Sequence, residues 1–399
     1  MIIHREFARK IAPIMNAFAS QRSHLPASCF IKADVGGDTA RFILRNDTGA
    51  IFTAEIPTVE PVSEAMSVAV TATSLASWFN HVDEDVKMYL SENKTSLWIV
   101  DGLSRKKLGL IVTADYDIYS GGIKVCDVPV DDFDAILAET TYAITPDVTA
   151  NIITQGLHMN FRTAGGTLMF QSTDGLRAAI VEIDGISVLD DYSVLVPESA
   201  MRVLRATVKS LGSLDAADNP SPISVYHVPT ASGKSVVRFR QAVYGVTVSF
   251  DIIPFNIEQA LRDMRNLYRL DGCVQTKVTV DKKSLAQHLR KIQSDGLTTL
   301  YNHVMVRIDD GVLYFSAATV MDKVRNAAEV GMSEFAVEGD ASLFKFRLSL
   351  PFVNAAIRAL PGSSVSIIHF EPPEGGWRPI YFSSDLALGE HFVLPIIND

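Results

Sequence analysis

The chain alternates between segments with helical spacing of apolar residues and segments with the short apolar runs of strands. From His4 to about Ala19, apolar side chains recur every three or four positions, which predicts a helix with one buried face. Strand-like runs follow at Cys29–Lys32, Arg41–Leu44 and Ile51–Ile56, and a second helix is predicted at Leu75–Val82. This mixture of helices and short strands is typical of an α+β protein, with helices gathered on one face of antiparallel sheets.

The remainder of the chain repeats this plan. Further helices are predicted at Asp131–Ala143, Glu198–Leu211, Lys282–Ser294 and Leu350–Leu360. The other predicted strands are Val86–Leu90, Ser96–Val100, Lys107–Thr113, Gly156–Phe161, Thr167–Gln171, Arg177–Glu182, Ile223–His227, Ser235–Arg240, Gly245–Ile252, Val365–Phe370, Ile380–Ser383 and His391–Ile396.

One local pattern occurs three times. A turn containing glycine, an apolar run ending in Phe, a short polar break and a second strand-like run surround Phe42, Phe170 and Phe315. Repeats of this kind indicate tandem copies of one structural unit. The sequence therefore predicts three domains, residues 1–122, 123–256 and 257–399, in which residues 257–272 form a charged connector.

Composition narrows the class of protein. The chain has 399 residues, 47% of them hydrophobic, and a net charge of −10, which argues against a basic exterior that coats nucleic acid. This net charge does not exclude a basic inner surface. Cys29, Cys126 and Cys273 are odd in number and far apart, which favours a reducing compartment. With no apolar run long enough for a membrane span and no signal-peptide pattern, a cytoplasmic location is expected.

The sequence contains none of the common catalytic motifs that we searched for. Ser232-Gly233-Lys234-Ser235 resembles the end of a phosphate-binding loop, but Val228 stands where the first glycine of that loop is needed. The histidines and cysteines do not have metal-site spacing. We therefore expect no cofactor, no metal site and no enzymatic activity.

Three short motifs resemble one known family. Ser172–Ala178 reads STDGLRA and resembles the ATDGHRLA phrase in the second domain of the bacterial DNA polymerase III beta sliding clamp. Arg22–Pro26 looks like the RPTLPIL that follows the first helix of that family, and His391–Ile396 is similar to its terminal YVVMPMRL. The resemblance covers the whole chain, with Leu176 in place of the family's His. It implies a divergent member, of a kind that a phage or plasmid could encode.

The resemblance implies three sliding-clamp domains, each with two helices packed on antiparallel sheets. Two chains would pair head to tail as a homodimeric ring around duplex DNA, without reading its sequence. The ring would act as a processivity factor in DNA replication, tethering the replicative DNA polymerase and other proteins with a clamp-binding motif. A clamp loader would open it, and no membrane is involved.

Basic residues on the predicted helices are the candidates for a DNA channel. Arg202, Arg205 and Lys209 are spaced to share one helix face. The helix at Asp131–Ala143 is acidic and is not expected to face phosphates. The full candidate set is Arg5, Arg9, Lys10, Arg22, Arg202, Arg205, Lys209, Lys282, Lys283, Arg290 and Lys291.

The resemblance also implies a partner-peptide pocket and a dimer interface. The residues matching the pocket are Thr173, Gly175, Leu176, Arg177, Ala178, Leu394, Pro395 and Ile396, with Pro254 as a weaker match. The interface candidates are Trp78, Val82 and Leu108 on one side and Ile292 and Leu297 on the other.

Two other functions stay open at this point. A specialised clamp paralogue would recruit polymerase or repair factors without serving bulk replication. An unrelated three-domain α+β enzyme would instead have a deep pocket with perturbed acids inside one domain.

Overall fold

A computed structural model of the chain describes residues 1–20, 27–46, 49–112, 118–147, 149–212, 221–230, 233, 235–243, 245–256, 265, 273–294, 303–321, 324–371 and 378–396. The chain forms two compact units. The first consists of Met1–Asp134, Asn160–Leu168 and Asp184–Asn256, and the second of Ala135–Met159, Met169–Ile183 and Ile257–Asp399. Both combine helices with antiparallel sheets, which confirms the predicted α+β class. The division into three domains remains a prediction.

Up to the third helix, the predicted elements occur in the predicted order, but the strand predicted at Lys107–Thr113 lies at Ser104–Gly109. Three strands that were not predicted, Ile2–Ile3, Met66–Thr71 and Ile123–Val128, occur as well. The elements of this part of the chain are β1 Ile2–Ile3, α1 Arg5–Ala19, β2 Ser28–Ala33, β3 Thr39–Arg45, β4 Ile51–Pro57, β5 Met66–Thr71, α2 Ala72–Phe79, β6 Val86–Leu90, β7 Ser96–Asp101, β8 Ser104–Gly109, β9 Ile123–Val128 and α3 Val130–Thr140.

The middle of the chain continues with β10 Gly156–Arg162, β11 Thr167–Thr173, β12 Arg177–Ile183, β13 Tyr192–Pro197, α4 Glu198–Gly212, β14 Ile223–Pro229, β15 Ser235–Val243 and β16 Val246–Ile252. The last part contains β17 Val274–Asp281, α5 Lys282–Ser294, β18 His303–Asp309, β19 Val312–Met321, β20 Val324–Met332, β21 Ala336–Glu338, β22 Lys345–Ser349, α6 Leu350–Ala359, β23 Ser364–Glu371, β24 Ile380–Ser383 and β25 Gly389–Val393.

The first unit contains two antiparallel sheets. One has eight strands in the order β5-β2-β3-β4-β16-β15-β14-β9, and the other has four in the order β1-β6-β7-β8. The larger sheet joins β4 of the predicted first domain to β16 of the predicted second, with Phe52 directly opposite Phe250. Helix α1 packs against both α2 and α4. The ring of Phe18 on α1 is tilted against the ring of Phe52 and meets the ring of Phe250 edge-on. Apolar burial between helices and sheet therefore stabilises this unit.

The second unit is organised in the same way. Its larger sheet contains the run β12-β25-β24-β23-β17-β21, and its smaller sheet has the order β20-β19-β18-β22. Helices α5 and α6 pack together over a core that includes Leu285, Leu289, Val353 and Ile357. The pairing of β12 with β25 places the carboxyl-terminal strand beside a strand from the middle of the chain.

The second helix lies three residues earlier than predicted. Strand β5 leads directly into α2, with Thr71 at the helix N-cap and Asn80 at the C-cap. Val82 is fully buried although it follows the helix, so its apolar character extended the predicted helix too far. Helix α3 likewise ends at Thr140 and is followed by a 3₁₀ turn at Thr141–Ala143. Among the described residues, no helix is long and apolar enough to cross a membrane.

Candidate functional site

The turn between β11 and β12 is held by its own side chains. The hydroxyl of Thr173 accepts a hydrogen bond from the Gly175 N–H at 3.0 Å and donates one to the Arg177 carbonyl at 2.8 Å. The Asp174 carboxylate accepts from the N–H groups of Leu176 and Arg177 at 3.0 and 2.9 Å. Gly175 has φ +92°, a backbone conformation that strongly favours glycine. The sequence Thr-Asp-Gly therefore specifies this turn.

The end of the chain runs alongside this turn. Arg177 and Ala178 pair with Val393 and Phe392 in the antiparallel ladder. Beyond the strand, the Leu394 N–H donates to the Leu176 carbonyl at 2.8 Å, and the Ile396 N–H donates to the Arg347 carbonyl at 2.8 Å. Two segments that are far apart in sequence, 173–178 and 394–396, thus meet in the second unit.

Arg177 is fixed between aromatic rings. Its Nε lies 2.7 Å from the Asp174 carboxylate, and its guanidinium carbon lies 4.7 Å from the ring centre of Phe352 and 5.5 Å from that of Tyr142. Both the Arg177 and Asp174 side chains are largely buried. A guanidinium held in this way is a rigid donor. Next to it, the apolar side chain of Leu176 is 54% exposed.

A buried polar cluster connects α3 to the carboxyl-terminal strand; we call Glu139, Tyr142 and His391 the polar clasp. Glu139 and His391 are 1% and 0% exposed, with Glu139 Oε2 lying 3.2 Å from His391 Nε2. The Tyr142 hydroxyl lies 3.1 Å from His391 Nδ1 and 3.3 Å from the Ala178 carbonyl oxygen. Burial raises the pKa of Tyr142 above its ordinary value, so this phenol stays neutral.

The clasp also satisfies backbone groups at the start of β25. The Glu139 carboxylate accepts from the N–H groups of Leu388 and Gly389 at 3.0 and 3.2 Å. A side chain at Gly389 would come within 2.1 Å of the Ile180 carbonyl oxygen, so only glycine allows this approach of the strands. Glu139 and His391 were not predicted as a pair, because they lie far apart in the sequence and no local pattern connects them.

Pro254, the weaker pocket match, belongs to the first unit, whereas the other eight pocket candidates belong to the second. The structure thus brings together the two segments 173–178 and 394–396. The role of all nine residues as a peptide pocket remains a prediction.

The cationic side chains of α4 lie on its exposed side. Arg202 and Lys209 are exposed and Arg205 is half-buried, whereas Val203, Leu204 and other apolar residues of α4 are buried. In the described part of the chain, no carboxylate forms an ion pair with Arg202, Arg205 or Lys209. This helix therefore presents unneutralised positive charge to solvent.

The cations of α1 are differently placed. Arg9 donates to the Asp83 carboxylate at 2.9 Å and to the Val82 carbonyl at 2.6 Å, and Arg5 donates to the Asp83 carbonyl at 2.7 Å. These contacts tie α1 to the segment before β6 and neutralise part of its charge. Lys10 is half-buried, and Arg22 lies outside the described residues.

Helix α5 of the second unit carries the other channel candidates. Lys283, Arg290 and Lys291 are exposed, whereas Lys282 is half-buried and its Nζ donates to the Leu360 carbonyl after α6. The position of Lys282 therefore indicates a structural contact between the two helices.

Within one chain, most of the candidates for the dimer interface are buried or half-buried. Val82 and Ile292 are fully buried, Leu108 is 7% exposed, and Trp78 is half-buried beneath Lys106. Leu108 lies on β8, the last strand of the four-stranded sheet. Leu297 lies outside the described residues. Their contact with a second chain remains a prediction.

Comparison with known proteins defines the class of fold. No protein-family model matches the sequence, and no curated protein sequence matches it either. Solved structures do match over the full length. They include the beta subunit of DNA polymerase III from Thermotoga maritima, at TM-score 0.78 and 15% identity, covering 100% of this chain and 99% of that one.

Two further similar structures support the same assignment. The beta subunit from the DNA polymerase of Streptococcus pyogenes gives TM-score 0.77 at 15% identity, and the DNA polymerase sliding clamp from Caulobacter crescentus gives 0.75 at 17%. Each alignment covers 100% of this chain and 99% of the other. The chain therefore has the fold of the bacterial sliding clamps, as the sequence motifs predicted.

Proposed function

We propose that the protein is a DNA sliding clamp. Two chains pair as a homodimeric ring that encircles duplex DNA and tethers a replicative DNA polymerase in the cytoplasm. The observation that carries the proposal is the sliding-clamp fold over the whole chain. Tethering increases the rate at which the polymerase rebinds, because rebinding becomes intramolecular.

The exposed cations on α4 and α5 support the DNA contact. Arg202, Lys209 and Arg290 project from helices of an otherwise acidic protein. Basic side chains that contact phosphates hold the duplex without reading its bases. A ring that slides needs this kind of contact, since base-specific hydrogen bonds would stop it.

The segments 173–178 and 394–396 support the polymerase contact. They combine exposed apolar surface at Leu176 with a rigid guanidinium at Arg177. This arrangement suits a short peptide with apolar anchors and a polar or acidic group. The protein itself has no catalytic role in this proposal, and a separate ATP-driven loader opens the ring.

Charge reversal on α4 tests the DNA contact. We expect Arg202→Glu with Arg205→Glu to weaken binding to a short duplex steeply, because two attractive phosphate contacts become repulsive. The slope of log affinity against log salt should fall in magnitude by about 1.8 for the two lost contacts. Fluorescence anisotropy with a labelled duplex over a salt series measures both.

A matched control changes the same charge elsewhere. Arg45→Glu with Lys345→Glu reverses two exposed strand cations and should leave duplex affinity within about twofold of the original, since local contacts dominate at physiological salt. Equal losses in both variants would show a general charge effect and remove α4 from the DNA contact.

A specialised paralogue is the second candidate function. The observation in its favour is Leu176, an exposed apolar side chain in the turn where the resembling family phrase has His. Such a clamp would prefer partners with an additional apolar anchor. Competition between polymerase and repair-protein peptides for the same site would separate the two candidates.

A further inference from the structure

Tyr142 of the polar clasp contacts the two strands that lead into the candidate peptide pocket. It belongs to the 3₁₀ turn after α3, and it lies in the second unit with the pocket segments 173–178 and 394–396. Its hydroxyl lies 3.3 Å from the Ala178 carbonyl oxygen on β12 and 3.1 Å from His391 Nδ1 on β25. A side chain outside both segments is therefore attached to both strands.

The ring of Tyr142 is held in one orientation by His391. The two rings are stacked, with their centres 5.4 Å apart and an angle of 20° between their planes. His391 is itself fixed, because it lies opposite Ala179 in the ladder of β12 and β25 and its Nε2 lies 3.2 Å from the Glu139 carboxylate. Whichever nitrogen of His391 carries hydrogen, the Tyr142 hydroxyl has a partner on β12 or on β25.

This fixed ring in turn limits the movement of Arg177. The guanidinium carbon lies 5.5 Å from the ring centre of Tyr142 and 4.7 Å from that of Phe352, within the range of a cation–π contact. Among the described residues, the guanidinium has one hydrogen-bond partner, the Asp174 carboxylate, which it contacts through Nε. Its Nη groups are therefore left as donors for an acceptor on a bound peptide.

An arginine that is held in place before binding gains affinity. A free arginine side chain loses much rotamer freedom when it binds a partner, and this loss opposes binding. The contacts of Arg177 with Asp174, Phe352 and Tyr142 remove most of that freedom in the unbound protein. Tyr142 is the contact that connects this guanidinium to the buried clasp.

We propose that Tyr142 is a positioning residue of the partner-peptide pocket. The peptide contacts Arg177, and Tyr142 acts through Arg177 by fixing the plane of its guanidinium. The role rests on the proposed function, because it requires a peptide that binds at segments 173–178 and 394–396. A purely structural Tyr142 would instead affect stability without any dependence on the side chain at position 177.

The test measures binding of a fluorescent peptide with the clamp-binding motif of a bacterial replicative polymerase to the full-length protein by anisotropy. Tyr142→Phe removes the hydroxyl and keeps the ring, so affinity should fall by about threefold. Tyr142→Leu also removes the ring beside Arg177, so affinity should fall by about tenfold or more.

Tyr192→Phe is the matched control in the first unit. Tyr192 also stacks on a histidine, His227, with ring centres 4.9 Å apart, and its hydroxyl lies 3.2 Å from the Ser235 hydroxyl. The same chemical change at this position should leave peptide affinity within about twofold of the original. Circular dichroism checks that each variant is folded.

A double-mutant cycle separates positioning from a structural role. Arg177→Gln removes the cation through which Tyr142 is proposed to act, so in this background Tyr142→Leu should change peptide affinity by about twofold or less. Nitrogen-15 NMR of arginine-labelled protein gives a second readout, in which the Arg177 Nε–H signal is identified by its absence from Arg177→Gln. This signal should shift and broaden in Tyr142→Phe as the guanidinium becomes more mobile.

Three results would overturn this role. The first is normal peptide affinity in Tyr142→Phe and Tyr142→Leu, and the second is an equal loss from Tyr142→Leu in both backgrounds. The third is an unchanged Arg177 signal in Tyr142→Phe, which decides the matter even if Tyr142→Leu does not fold. If the original protein does not bind the peptide, the proposed pocket fails together with this role, whereas the first three results leave the pocket intact.

Discussion

Removal of the chain from Leu394 onward is expected to abolish binding of a clamp-binding peptide while the fold persists. Strand β25 ends at Val393, so the deletion leaves its ladder with β12 intact. It removes the hydrogen bonds from the Leu394 N–H to Leu176 and from the Ile396 N–H to Arg347, together with two apolar side chains beside the turn. Loss of two apolar anchors corresponds to about 3 kcal/mol, or on the order of 100-fold in affinity.

The measurement is titration of a fluorescent peptide that carries the clamp-binding motif of a bacterial replicative polymerase. Leu394→Ser with Ile396→Ser should give most of the same loss without shortening the chain. Leu103→Ser with Val112→Ser is a matched control, because it replaces two exposed apolar side chains of the first unit. Retained peptide affinity in the truncated protein would remove segment 394–396 from the pocket.

Glu139→Ala is expected to cause the largest loss of stability of any single substitution in the polar clasp. It leaves His391 fully buried without its carboxylate partner and removes the acceptor of the Leu388 and Gly389 N–H groups. A buried polar group left without its partner typically costs about 1–3 kcal/mol, and this substitution removes the partner of three such groups. Urea unfolding followed by circular dichroism measures the change in the free energy of unfolding.

Two variants make this prediction specific. Glu139→Gln keeps an oxygen acceptor and the side-chain volume, so it should lose clearly less stability than Glu139→Ala. Glu334→Ala removes an exposed carboxylate from the same unit and should change the free energy of unfolding by less than about 0.5 kcal/mol. If Glu139→Ala unfolds at the same urea concentration as Glu334→Ala, the clasp does not stabilise the fold.

Strong periodicity made several elements predictable. Helix α5 begins and ends at the predicted residues, and α1 and α4 differ from the prediction by one residue at one end. The antiparallel α+β class followed from the same patterns. The weaker cases were boundaries at which a buried residue continues the apolar pattern beyond a helix, as Val82 does after α2.

Contacts between distant segments could not be read from local patterns. The pairing of Phe52 with Phe250 and of Ala178 with Phe392 depends on how whole sheets assemble. The polar clasp shows the same limit, because Glu139 obtains its His391 partner only through the approach of β25 from the other end of the chain. The short motif Thr-Asp-Gly was predictable because its hydrogen bonds are local.

The proposed function requires that the protein form a closed ring around duplex DNA. The most direct measurement is gel filtration at high salt after assembly on a nicked circular plasmid, with half of the sample linearised before the column. A closed ring is held by topology, so protein should elute with the circular DNA and be lost from the linear DNA. Equal retention on both forms, or release from the circle as readily as from the linear form, would contradict encirclement.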